Sequence, residues 1–204
     1  FDALPVKQFI KKNNTWFEKG FEYNQKLNKL QFFFKPSTKL HIRQISEYFD
    51  LDKNNFIEIS YDAKKIVKDL STLLRRENSI FLTIDYGDHS IYCNDTLQAI
   101  RNKKKVDPLK FPGASDLTTN VNFYYLIKLF NKYNLHKIFI TNQSQFLQKL
   151  GINERFNSQI KLLNNVQLNH LKKSIARLIN PDEMGNLFKV LVVGNKKQKF
   201  SLGK

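Results

Sequence analysis

The sequence has one cysteine, seven glycines and five prolines in 204 residues. The lone Cys93 excludes an internal disulfide and any zinc site built from cysteines, and it points to a reducing compartment. Seven scattered glycines leave little room for a phosphate cradle: there is no Walker loop, no Gly-x-Gly-x-x-Gly and no Gly-x-Ser-x-Gly elbow. His41, His89, His136 and His170 lie too far apart for the i, i+4 pair of a helical zinc site, so no metal is expected. No apolar run approaches the ~18–20 residues of a membrane span. Phe1 to Ile10 does not read as a signal peptide, having no charged segment ahead of an apolar one.

Acid is also scarce. Eighteen Asp and Glu face 34 Lys and Arg, giving a net charge of +16. Such a balance suits a polyanionic partner. The basic residues are dispersed, however, and the tightest run is Lys103-Lys104-Lys105. A composition rich in Lys, Asn, Ile and Phe is also what AT-rich coding produces. A solvated basic face is the favoured reading, and nucleic acid is not the expected partner.

What is present is apolar and aromatic: 41% hydrophobic, with 18 Phe, enough for one domain with a real core. The organising stretch is Ile80-Phe-Leu-Thr-Ile-Asp-Tyr-Gly87. Its short β-rich run predicts a strand buried on both faces, as in a parallel sheet. Asp85, Tyr86 and Gly87 would then sit where the strand leaves the sheet, the place where ligands collect in open α/β folds. Asp85 could equally cap a turn that Gly87 permits.

Around that strand, the aromatic segments Val6–Ile10, Trp16–Tyr23 and Leu30–Phe34 read as an antiparallel meander. Trp16, Phe17, Phe21 and Tyr23 are expected to cover one of its faces. Thr38 to Asp52 reads as a strand and then a short helix, and Phe56–Ser60 as a strand. A helix follows, with Asp62 as N-cap, a stripe of Ile66, Val67, Leu70, Leu73 and Leu74, and Arg75 and Arg76 in its last turn. Asn78-Ser79 breaks it. His89 to Lys110 reads as loop and helix, helical over Thr96–Arg101. Phe111 to Asn120 reads as a polar loop in which Asp116 stands between hydroxyls. Asn122 caps a helix through Phe123, Leu126, Ile127 and Phe130 that Asn134 ends. His136–Thr141 is the next strand. Helices follow over Asn142–Leu150, stopped by Gly151, over Glu154–Leu163, and over Leu168–Ile179. Leu187–Val193 is the last strand, before a basic tail.

Several stretches, in order, resemble one family: Phe1-Asp-Ala-Leu-Pro-Val-Lys-Gln-Phe-Ile10, Ile84-Asp-Tyr-Gly87, Thr96-Leu-Gln-Ala99, Pro112-Gly-Ala-Ser-Asp-Leu-Thr118, Gln143-Ser-Gln-Phe-Leu147 with Leu150-Gly-Ile152, and Pro181-Asp-Glu-Met-Gly-Asn-Leu-Phe-Lys-Val190. The chain resembles the MidA family of S-adenosylmethionine-dependent methyltransferases. These include bacterial members and the mitochondrial protein that methylates an arginine of a complex I subunit during assembly. The resemblance covers the family's C-terminal half only. It implies an α/β fold: the C-terminal part of a Rossmann-like class I methyltransferase sheet. Strand five would be Ile80–Ile84, strand six Lys137–Thr141 and an antiparallel seventh Phe188–Val193. The expectation is a single incomplete domain over residues 1–204, with a meander insertion over 6–60 and the sheet with its helices over 61–204.

The chain opens on Phe1-Asp-Ala-Leu-Pro5, which reads as a strand exit, so a cut inside a domain is expected. The family's upstream Gly-rich loop, the main S-adenosyl-L-methionine site, would lie outside it, as would an Asn-Glu-Phe sequence before Phe1. A separate N-terminal fragment is a possible partner. Asn122 stands where the family usually has Asp, and Gln145 where Glu is common. The implied substrate is a protein arginine, in bacterial cytoplasm or the mitochondrial matrix. By motif position, Asp2, Asp85 and Asp116 are the candidate catalytic carboxylates, and Tyr86, Gly87, Thr118 and Gln143 the positioning groups. The competing readings are a non-catalytic remnant or interaction module and a basic nucleic-acid binder.

Overall fold

Asparagine turns set the first sheet. In the computed structural model, which describes residues 1–75, 79–91 and 93–195, Asn13 and Asn14 both take positive φ (47° and 61°). That pair of values suits a tight hairpin whose twist matches its strands, and asparagine tolerates it better than most residues. The turn joins β1 (Lys7–Lys12) to β2 (Thr15–Asn24), and Asn28, also at positive φ, precedes β3 (Lys29–Pro36). The three strands pair antiparallel in sequence, as expected of a meander. Helix α1 (Lys39–Ser46) starts where Thr38 Oγ1 accepts from the His41 N–H at 3.2 Å. β4 (Phe56–Ile59) then pairs with the free edge of β1, giving the order β3-β2-β1-β4.

After β4 come α2 (Tyr61–Leu74), β5 (Ile80–Asp88), β6 (Gln98–Arg101), β7 (Lys104–Val106), β8 (Asp116–Thr118), the two-residue β9 (Val121–Asn122) and α3 (Phe123–Lys132). β10 (His136–Asn142), α4 (Gln143–Lys149), α5 (Ile152–Gln159), α6 (Asn165–Ile179) and β11 (Phe188–Gly194) complete the chain.

Two compact units emerge. The first joins Phe1–Asp69 to Asp88–Leu129; the second joins Leu70–Gly87 to the chain from Phe130 onward. In the first, Phe9, Ile45, Ile57 and Val67 are fully buried. Tyr48 meets Tyr125 edge-on at 5.0 Å, and Phe49 stacks on the same ring at 5.9 Å. β6 pairs antiparallel with β7 and β8 in a small second sheet. In the second unit β11 lies between β10 and β5, antiparallel to both, so β10 and β5 run parallel to each other. Val190 to Val193 are completely buried, each contributing about 1.5–3 kcal/mol. Gly185 turns the chain into β11; a Cβ there would lie 2.4 Å from the Ile179 carbonyl oxygen, so no other residue fits.

The structure corrects several expectations. Ile80, Leu82 and Ile84 are about 40% exposed, so β5 is not buried on both faces. Its burial alternates, and its β11 neighbour is antiparallel. β5 also runs on to Asp88, so Asp85, Tyr86 and Gly87 lie inside the strand rather than at its exit. Thr38 to Asp52 contains no strand, because Thr38 caps a helix at once. Helix α2 begins at Tyr61, and the Ser60 hydroxyl, not Asp62, accepts from the Ala63 N–H at 3.2 Å. Its buried stripe is Ala63, Val67, Ser71 and Leu74, while Ile66 and Leu73 are exposed. Arg75 lies just past its end, and Arg76 and Asn78 fall outside the described residues, as does the basic tail from Lys196 on.

Thr96–Arg101 is not helical. Asn102 and Lys103, at φ 50° and 61°, fold β6 back on β7, and a two-residue turn overrides helix propensity there. The loop before Asn120 holds strand β8. Of the meander aromatics, Trp16 is buried, whereas Phe21 and Tyr23 at the far end of β2 are exposed.

Candidate functional site

Asp2 sits in the opening turn, where Leu4 N–H donates to the Phe1 carbonyl at 3.1 Å and Thr119 N–H to the Asp2 carbonyl at 2.9 Å. The second bond ties the turn to the end of β8. Asp2 and Thr118 thereby line one groove of about 540 Å3, with Gln8, Lys19, Phe32 and Leu117 among its walls. Phe21, Phe32, Leu97 and Leu117 continue it into a hollow of about 200 Å3 reaching Phe111. The groove is apolar and aromatic between charged ends, and Lys19 Nζ stands 4.1 Å from the Phe32 ring centre.

Asp116 starts β8 opposite Ile100 and is exposed, outside the groove lining. Asp85, Tyr86, Gly87 and Gln143 belong to the second unit. Asp85 faces Lys189 in register, and its Oδ1 accepts from Tyr86 N–H at 2.9 Å. The Tyr86 and Phe188 rings meet at 6.1 Å, and Gly87 is buried. Gln143, at the start of α4, is buried and donates to the Leu178 carbonyl at 2.9 Å, which docks α4 on α6. The structure thus brings Asp2 and Thr118 together, with Asp116 two residues along the same strand.

Sequence reasoning missed Glu58. It lies mid-strand in β4 and is 7% exposed. Gln8 Nε2 donates to its Oε1 at 2.6 Å, Thr96 Oγ1 to its Oε2 at 2.6 Å, and Thr96 N–H to Oε1 at 3.3 Å. Gln8 Nε2 also reaches Asp95 Oδ1 at 2.8 Å, and Lys19 Nζ reaches Asp95 Oδ2 at 2.5 Å. Thr96 Oγ1 accepts from Asn120 N–H at 2.9 Å. A chain of polar contacts therefore runs from the groove wall, at Lys19 and Gln8, to Glu58. Burial pushes the Glu58 carboxyl above its ordinary range, against hydrogen bonds from Thr96 and Gln8. The available signal was a glutamate inside the apolar run Phe56-Ile-Glu-Ile, where a solvated strand residue has no reason to stand.

Beyond Glu58 lies a small cavity of about 100 Å3, lined also by Cys93, Asn94, Asn120 and Asn122. Asn122 Oδ1 accepts from Tyr125 N–H at 2.8 Å, capping α3 as expected, and its Nδ2 donates to Cys93 Sγ at 3.1 Å. Gln145, the other departure from the family pattern, accepts from Thr141 Oγ1 at 2.6 Å.

Among the described residues no cluster of His, Cys, Asp and Glu could hold a metal ion. No helix among them is long and apolar enough to cross a membrane. Nor do they fit a complete cradle for S-adenosylmethionine. The glycines stand singly, and the tight approach shown by Gly185 serves the turn into β11. What the chain does build is a carboxylate-bearing groove with a polar cavity behind it.

A family model described as S-adenosyl-L-methionine-dependent methyltransferase matches residues 1–141. The mitochondrial protein arginine methyltransferase NDUFAF7 of Danio rerio is 30% identical over 201 residues, 96% of this chain and 46% of that protein. The Homo sapiens protein of the same name is 28% identical over 191 residues, 92% of this chain and 42% of that protein. The chain thus spans less than half the length of these curated relatives. A COG1565 superfamily protein from Burkholderia thailandensis shares the fold with TM-score 0.80 and 23% identity, over 95% of this chain and 53% of that one. A second member from that organism, crystallised with S-adenosyl-homocysteine, gives TM-score 0.78 and 22% identity over 95% of this chain and 51% of that one. The mixed α/β fold with several sheets is common to all three. With the motifs in order from Phe1 to Val190 and the family model covering Phe1 through Thr141, the chain belongs to the S-adenosyl-L-methionine-dependent methyltransferases, among relatives of NDUFAF7.

Proposed function

We propose that this chain supplies the methyl-acceptor side of a protein arginine methyltransferase. The observation that carries the reading is the similarity to a protein arginine methyltransferase along 96% of the chain. S-adenosylmethionine, when bound, supplies the methyl group, and its main binding loop belongs to a part of the enzyme outside these residues. A guanidinium stays protonated near neutrality, so a carboxylate must hold it and orient one nitrogen. By motif position, Asp2 and Asp116 in the first unit and Asp85 in the second are assigned to drawing in and orienting the cationic acceptor segment, with Tyr86, Gly87, Thr118 and Gln143 positioning the elements around them. The aromatic groove running from Asp2 past Phe21 toward Phe111 suits a segment of a protein substrate better than a nucleic acid, because its walls are apolar. The relatives named above are mitochondrial proteins, and the setting we assign to this chain is the mitochondrial matrix or a bacterial cytoplasm.

The test uses the enzyme as its own cell makes it, with methyl-labelled S-adenosylmethionine and arginine-bearing protein acceptors. Label is expected in methylarginine after acid hydrolysis. Asp2→Ala, Asp85→Ala and Asp116→Ala should each lower transfer by about tenfold or more, since a charge-assisted hydrogen bond contributes ~1.5–3 kcal/mol. Label on no arginine, or three unchanged variants, sinks the reading.

A further inference from the structure

Several acids of the chain pair with lysines, Glu18 and Asp95 most closely. Glu18 is held by Lys7 at 2.8 Å and Lys35 at 3.2 Å, and Asp95 by Lys19 at 2.5 Å. Glu58 is different. It is buried, its hydrogen-bond partners are neutral, and the charge that acts on it from nearby is that of Asp95, another acid. Among the described residues no Lys, Arg or His makes an ion pair with it. A buried carboxylate without a counter-ion is costly, and such groups concentrate where a ligand supplies the missing charge.

The cavity beside Glu58 has that character. No cationic side chain lines it; its walls are the carboxylate, the amides of Asn94, Asn120 and Asn122, the Thr96 hydroxyl and the Cys93 thiol, with Asp88 adding a second acid. At about 100 Å3 it takes one small head group. Gln8 and Thr96 direct three donors at Glu58 and fix the plane of its carboxylate, which offers about four lone-pair sites in all. Those three bonds leave about one site, which accepts one N–H of a planar cation whose other N–H groups can meet the polar walls of the cavity.

We propose that this cavity seats the acceptor guanidinium, and that Glu58 is the carboxylate that pairs with it. The inference rests on the arginine-acceptor reading above and adds a residue and a pocket to it. Gln8 and Asp95 act through Glu58 as positioning residues, linking the pocket to Lys19 on the wall of the aromatic groove.

Methylguanidinium chloride and its neutral analogue methylurea, titrated into the native enzyme by calorimetry or ligand-observed NMR, test this. Methylguanidinium should bind at least tenfold more tightly than methylurea, and Glu58→Gln should abolish that preference while keeping the thermal transition. Should Glu58→Gln not fold, Asn94→Trp places a large side chain at the cavity wall from an exposed position and should lower methylguanidinium affinity to the same degree. Equal affinity for the two probes, or an unaltered preference in the folded variants, overturns the proposal. A transfer assay separates it from the activity itself. Arginine methylation with an unchanged KM in Glu58→Gln refutes the pocket and leaves the activity standing. Methylguanidinium bound at Glu58 by an enzyme that methylates no arginine supports the pocket and refutes the activity.

Discussion

The two units bury different things. The first buries Gln8, Glu18, Asn54, Glu58, Ser60 and Thr119 together with its aromatic core. The second buries the continuous apolar run Val190–Val193, and its buried polar groups do structural work: Gln143 docks α4 on α6, and Ser144 Oγ accepts from Gln148 Nε2 at 2.8 Å within one helix. Buried polar groups cost stability unless each is satisfied, so their concentration marks where specificity or binding outweighs plain packing. The second unit is a framework. The first holds the groove, the small cavity and the network between them.

The sharpest break of that comparison is a charge in the framework. Val192→Asp puts an unpaired carboxylate into a strand buried throughout, at several kcal/mol, enough to abolish cooperative melting. Leu162→Asp in the same unit, at a side chain 83% exposed, should change stability by no more than about 0.5 kcal/mol. Thermal denaturation by circular dichroism reads both. Similar melts for the two variants would mean that β11 is not the unit's core.

The polar unit is probed through its thiol. Burial first, and then the Glu58 charge, push Cys93 up to about 11. Against an ordinary value of 9.0, that is about a hundredfold less thiolate at pH 8. Iodoacetamide should therefore modify native Cys93 about a hundredfold more slowly than the urea-unfolded chain, and somewhat faster in Glu58→Gln. Equal rates folded and unfolded would show that the cavity is open to reagent and that Glu58 is not buried beside it.

The same contrast explains what could be read from sequence. Framework elements were legible because their signals are local. Asn142, Gly151 and the alternation of Leu168, Leu171, Ile175 and Leu178 announce helix starts, stops and faces within a few residues. β5 was placed correctly but its burial was not, because which face is covered depends on neighbours distant in sequence. β6 and β7 were missed because a turn at Asn102-Lys103 has no glycine, and positive φ at a lysine is a tertiary outcome. For the candidate site, the Asp2 turn and Thr118 came from motif resemblance. Glu58 did not, since its partners Gln8 and Thr96 lie 50 and 38 residues away and only pairing of β4 with β1 brings the first of them close.

Caps give a smaller test. Asn164 makes a full capping box with Gln167 at the start of α6, so Asn164→Ala should cost ~1 kcal/mol. Asn122→Ala removes the α3 cap and also the Cys93 contact, and should cost more, about 1–2 kcal/mol. Equal losses in urea denaturation would mean that the polar unit gains nothing from linking its cap to its cavity.

The smallest expected effect is on pH dependence, because the acids of the polar unit pull in opposite directions. For Glu58, burial raises the folded value above 4.5. Its contribution is fully present below pH 4.5 and is lost as pH rises through the folded value. For Asp95, burial acts upward, but the Lys19 and Gln8 hydrogen bonds, with the Lys19 charge, outweigh it and hold the carboxyl below 3.8. Its contribution is present above pH 3.8 and is lost as pH falls through the lower folded value. In the wild-type protein the two trends partly offset each other between acid and neutral pH. Glu58→Gln removes only the first. Relative to wild type, that variant should therefore gain stability as pH is raised from 4.5 toward 7, and show no such trend below 4.5. Urea denaturation across that range reads the difference. A difference that does not change with pH would mean that Glu58 titrates as it does in the unfolded chain, which a carboxylate buried without a counter-ion cannot do.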